Sequence, residues 1–242
     1  MPRISSPSLR LVAVVLACSS TPNSIATTCL AASAVQTGSQ YTGLESGTPG
    51  IRAGLTNSST DAANFINFCA GQTLTNGRQN GNGSCNGIPM GRLPAADNMI
   101  SALITAPQPG DAVTAHATFT VRIQTRNLRA GFLANPGATY YSAPQDLDER
   151  GRVLGHCHVV IQDIGSLRAT AAPDPAAFVF FTGVDDAGDG EGLLQAAVPG
   201  GLPPGAYRVC SMIAARNHQP VTMPVAQRGA QDDCTKFEVV GS

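Results

Sequence analysis

The sequence predicts an all-β protein, an immunoglobulin-like two-sheet β-sandwich with long loops and disulfide staples. Three observations carry that expectation. Short apolar runs recur between turn signals, and the run Ala117 to Arg126 alternates, with Phe119, Val121 and Ile123 on one face. Glycine (26) and proline (17) are abundant and tryptophan is absent, a composition that suits short strands and turns better than helices. Finally, Leu202-Pro203-Pro204-Gly205-Ala206-Tyr207 leads into Arg208-Val209-Cys210. A turn that delivers a tyrosine into a strand, with a cysteine three residues on, matches the tyrosine corner of immunoglobulin-like sandwiches.

Taken in order, Asp61 to Phe68 is read as a short helix or strand entering the fold. Gly71 to Gly91, rich in glycine and asparagine, is a loop; lacking a carboxylate, it makes a poor calcium site. Strands are expected over Asn98–Ile104, Ala117–Arg126 and Val153–Ile164. Further strands follow over Phe178–Phe181 (short and buried), Leu193–Val198, Leu202–Cys210 and Thr235–Val240. Asp185 to Glu191 is an acidic turn that presents its carboxylates to solvent. About seven strands with turns between them make a two-sheet sandwich.

The N-terminus has the pattern of an export signal: Arg3 and Arg10 precede the apolar run Leu11 to Cys18, and small residues follow. That run is shorter than the ~20 residues a membrane-spanning helix needs. Cleavage after Ala17 or near Ala32-Ser33-Ala34 both fit, and Val15-Leu16-Ala17-Cys18 also resembles a bacterial lipobox. The expected organisation is a leader over 1–34, a flexible linker over 35–60 rich in Ser, Thr, Ala and Gly, and one sandwich domain over 61–242.

Seven cysteines suit an oxidising compartment. With Cys18 and Cys29 in the leader, position favours bridges Cys69–Cys85 and Cys210–Cys234 across local loops. Cys157 is left as a thiol on the apolar face of its strand. Asn57-Ser58-Ser59 and Asn82-Gly83-Ser84 are glycosylation sequons in a eukaryotic secretory pathway. A net charge of −1 and a single lysine, Lys236, exclude the basic footprint that nucleic-acid binding requires.

The chemistry-bearing stretch is Gly155-His156-Cys157-His158. Side chains alternate along a strand, so His156 and His158 share a face and Cys157 joins Val159 and Ile161 on the other. His218, beyond the next strand, supplies a third imidazole if its loop folds back. Three nitrogens with an open position form a zinc or copper site; otherwise the rings bond backbone and side chains at a sheet end. Asp185, Asp186 and Asp189 are candidate carboxylates, and His116 is expected at the surface. A cupredoxin-like alternative uses Cys210, His218, Met223 and His156 or His158, and it requires Cys210 as a free thiolate. No Gly-x-Ser-x-Gly, His-Glu-x-x-His or phosphate loop marks a hydrolase or nucleotide enzyme.

Several longer segments carry a family pattern: Asn67-Phe68-Cys69-Ala70-Gly71, Cys85-Asn86-Gly87-Ile88-Pro89-Met90-Gly91, Gly155-His156-x-His158, Phe180-Phe181-x-Gly183-Val184-Asp185-Asp186-Ala187-Gly188, and Asn217-His218-Gln219-Pro220 to Asp232-Asp233-Cys234. Together they resemble a family of small secreted fungal proteins of unknown function, often labelled as a small-subunit ribosomal protein. A near-neutral, lysine-poor chain with an export signal argues against that label. More loosely, Gly-His-x-His, Leu-Pro-Pro-Gly and Asn-His-x-Pro resemble bacterial periplasmic immunoglobulin-like domains. The expected role is extracellular or cell-wall-associated binding of a glycan or surface protein, ahead of enzymatic activity. The alternative is a zinc or copper enzyme built on His156, His158 and His218.

Overall fold

A computed structural model describes residues 35–74, 80–87, 90–140 and 142–241. Residues 1–34, read above as a leader and containing Cys18 and Cys29, lie outside them. Among the described residues eleven strands follow in chain order: β1 (Ser84–Asn86), β2 (Gly91–Leu93), β3 (Ser101–Ala106), β4 (Ala112–Thr114), β5 (Phe119–Arg126), β6 (Leu128–Arg129), β7 (Val153–Asp163), β8 (Phe180–Val184), β9 (Leu193–Val198), β10 (Gly205–Ala215) and β11 (Cys234–Val240). A one-turn helix, α1 (Pro136–Thr139), sits between β6 and β7.

Two sheets enclose the core. The larger has the order β4-β11-β10-β7-β6, with β8 also paired to β7; the smaller is β3-β5-β9. Its long central pairs are antiparallel, while β11–β4 and β6–β7 run parallel. The facing side chains are those that alternation predicts: Val121, Ile123, Val159, Ile161, Leu194, Val209 and Phe237 are all fully buried. Each such burial is worth roughly 1.5–3 kcal/mol. Tyr207 is buried and its hydroxyl donates to the Pro203 carbonyl at 3.0 Å, which completes the tyrosine corner. The expected sandwich is therefore present.

Both bridges form, Cys69–Cys85 and Cys210–Cys234, the second joining directly opposed residues of β10 and β11. Among the described residues Cys157 is the free thiol, and it is fully buried.

Three expectations need correction. Asp61 to Phe68 forms successive turns, with the Asp61 carboxylate accepting the Ala63 and Phe65 amides. Residues 35–60 are not a free linker: from Gln36 the chain belongs to the same compact unit as the sandwich. Asn135, fully buried, donates to the carbonyls of Gly43 and Pro49, and buried Asn217 donates to the Ser58 hydroxyl. A polar segment is thus ordered by hydrogen bonds rather than by apolar periodicity, which is why composition misreads it. Finally, the run Phe178–Phe181 is not a buried strand. Phe178 and Val179 precede β8, and they and Phe181, on the side of this edge strand turned away from the core, are about half exposed.

Candidate metal centre

The site is built on β7 and β10. In β7 the register sets His156 opposite Ala214 and His158 opposite Met212. Cys157, Val159 and Ile161 point into the core, so both imidazoles emerge on the outer face, with ring centroids 4.7 Å apart. Gly155 precedes them because β10 passes too close for a side chain: a Cβ there would collide with the Ala214 carbonyl oxygen. Gly183 stands opposite His158 on β8.

His218 reaches this face because β10 ends in a tight reversal. The His218 amide donates to Ala215 O, the Ala215 amide to Gln219 O, and Ala214 bridges Pro220. His218 occupies the left-handed region at φ +70°, uncommon for a residue with a Cβ and held here by the surrounding bonds. Its ring lies 4.6 Å from that of His156 and 5.6 Å from that of His158. One ligand nitrogen from each of the three lies within 4.8 Å of the others.

Two backbone carbonyls orient the rings. His156 Nδ1 lies 3.1 Å from Phe132 O, and His218 Nε2 lies 3.1 Å from Ala134 O. A carbonyl only accepts, so each of these nitrogens carries the proton. In neutral rings the opposite nitrogens, His156 Nε2 and His218 Nδ1, are then bare lone pairs, and they face each other at 3.3 Å. Neutral rings are what the surroundings enforce. Burial, then the neighbouring imidazoles, pushes His156 down to about 3. Burial and His218 push His158 down to about 4, and burial lowers His218 as well.

Two bare lone pairs held this close repel, and a cation beside them relieves that repulsion. Tetrahedral zinc, with Zn–N near 2.0–2.1 Å, places its nitrogen ligands about 3.3–3.4 Å apart. Imidazoles that donate their other N–H to a carbonyl are the usual arrangement around a bound metal. His158 stacks on Phe181 and His218 on Tyr140, and the rings open into a cleft of about 520 Å³ lined also by Pro136, Met212 and Asp232.

The other candidates lie elsewhere. Asp185 pairs with Arg52 at 2.7 Å, while Asp186 and Asp189 accept amides of their own turn, so the acidic loop is a solvated turn. His116 is exposed at the surface. Cys210 is consumed by its bridge to Cys234 and offers no thiolate, which removes the cupredoxin-like ligand set. Asn57 and Asn82 are both exposed. The carbonyls of Phe132 and Ala134 had no sequence signal, since backbone acceptors leave no mark on residue type. Tyr140, Phe181 and Met212, the cleft walls, had only their apolar character.

The CLU5d N-terminal domain model matches residues 102–240, which contain the whole histidine set. The chain belongs to that family. It is 56% identical over 215 residues to "Pathogenicity cluster 5 protein d" of Colletotrichum graminicola, covering 88% of this chain and 44% of the relative. The chain thus spans less than half the length of that curated relative, a fungal protein as the sequence resemblance implies. Among solved structures, the fibronectin(III)-like modules of Clostridium thermocellum CbhA align with 59% of this chain and 47% of theirs (9% identity, TM-score 0.29). The soluble domain of PmoD from Methylocystis aligns with 58% of this chain and 89% of its own (10% identity, TM-score 0.29). These scores are low, and the fold rests on the strand pairing described above.

Proposed function

We propose that this chain is a secreted, cell-wall- or surface-associated β-sandwich module that holds one zinc or copper ion through His156, His158 and His218. The observation that carries the metal site is the pair of carbonyl-oriented imidazoles whose bare nitrogens meet at 3.3 Å. That spacing matches a tetrahedral edge, which favours zinc. The site would use His156 Nε2, His218 Nδ1 and one nitrogen of His158, and leave a fourth position toward the cleft. The metal would act there as a Lewis acid that binds and polarises an oxygen donor. Asp232 is the carboxylate among the described residues of the cleft.

Extracellular work is supported by the two disulfides and the leader pattern. Among the described residues no helix is long and apolar enough to cross a membrane. The relative's name suggests a part in the encounter between fungus and host, and we carry that over within this proposal. Elemental analysis of the purified protein is the test. One zinc or copper per chain, lost in His156→Ala and His218→Ala, supports the site, and absence of both metals after reconstitution removes it. A glycan array and a cell-wall pull-down test the surface partner.

A further inference from the structure

Apolar side chains form most of the walls of the cleft beside the histidines. Phe181, Met212, Tyr140, Pro136 and Pro220 line it, and Phe181, Met212 and Asp232 also border a neighbouring hollow of about 430 Å³. Exposed apolar side chains gathered around a polar centre mark a ligand site rather than an accident of the surface. Phe181 is 47% exposed and Met212 38%, the latter on a strand whose next residue, Ile213, is buried.

Charge specifies the other half of the ligand. Three neutral imidazoles contribute no negative charge, so a divalent ion held by them keeps its full 2+ and favours an anion in the fourth position. The acid in the lining, Asp232, is engaged with the Ile213 amide at 2.6 Å and does not belong to the histidine ligand set. The open position is thus left to an incoming group by the ligand set itself.

We infer that the site takes an apolar monocarboxylate, its carboxylate on the metal and its hydrocarbon or aromatic body between Phe181, Met212 and Tyr140. A hydrophilic sugar fits poorly, since burying its hydroxyls against these walls leaves them without partners. The inference rests on the metal reading above.

Cobalt(II) loaded into the full secreted chain separates the two. Its visible bands report the metal site, and their shift reports a fourth ligand. 3-Phenylpropanoate is expected to shift the bands at least tenfold more tightly than acetate, which has the same head and no body. Met212→Ala should narrow that gap several-fold and Met212→Leu restore it. Equal affinity for the two acids, or a chitin trisaccharide shifting the bands in their place, overturns the ligand assignment and leaves the metal site standing. Absence of cobalt bands, with neither zinc nor copper retained on reconstitution, overturns the metal site, and the ligand inference falls with it.

Discussion

His156 Nε2 and His218 Nδ1 face each other at 3.3 Å, although their residues lie 62 positions apart and on different elements. Each is bare because the far side of its ring donates to a carbonyl two residues from the other's, Phe132 and Ala134. The irregular segment before α1 thus sets the tautomer of both rings, and with it the direction of both lone pairs.

Zinc should therefore stabilise the fold. At a free concentration a thousand times Kd the gain is about 4 kcal/mol. For a chain of this size that raises Tm by roughly 8–16 °C. Calorimetry with and without chelator measures it, and His218→Ala should abolish the rise.

The apo protein should be acid-labile through the same rings. His156 and His158 are held at about 3 and about 4, against 6.5 when unfolded, by burial first and by neighbouring imidazoles second. The unfolded chain binds more protons below pH 6.5, so stability is complete above that pH and is lost as pH falls toward 4 and then 3. The slope is up to roughly 1.4 kcal/mol per pH unit for each ring. Urea unfolding in chelator from pH 7.5 to 4.5 checks the sign. A flat profile, or one matched by His156→Gln, contradicts it.

Gly155→Ala should be strongly destabilising, by roughly 1–3 kcal/mol or more, because the new methyl group meets the Ala214 backbone rather than a side chain that can turn away. Strand separation at that point would also displace His156, so metal affinity should fall together with Tm.

Asn135→Ala removes the donor to Gly43 and Pro49 and the acceptor for the Gly137 amide. At about 1 kcal/mol per bond, the loss is roughly 2–4 kcal/mol, concentrated in residues 43–52. Trypsin should then cut after Arg52 markedly faster than in the parent protein, while the tyrosine corner keeps the sandwich folded.

Cys157 should resist thiol reagents until the protein unfolds. It is fully buried, its Sγ donates to the His158 carbonyl at 3.3 Å, and burial pushes its thiol up to about 12. Rapid native-state modification located at Cys157 by peptide mapping would contradict this placement.

Several features of this protein were determined by its sequence alone, because they depend on local periodicity and turn chemistry. Alternation placed Val121 and Ile123 inward and set His156 and His158 on the face opposite Cys157, and the Leu-Pro-Pro-Gly turn placed Tyr207. Loop spacing was enough to pair Cys69 with Cys85 and Cys210 with Cys234. The tertiary structure decided the rest. Only the reversal after β10 brings His218 onto the β7 face, and only the backbone of Phe132 and Ala134 orients the rings. Residues 35–60 read as linker because their order comes from distant asparagines rather than from their own pattern. Phe178–Phe181 read as core because an apolar run does not say which side of a sheet edge it will occupy. Periodicity is a property of neighbours in the chain, whereas the histidine cluster and its cleft are made by groups that meet only when the sheets have closed.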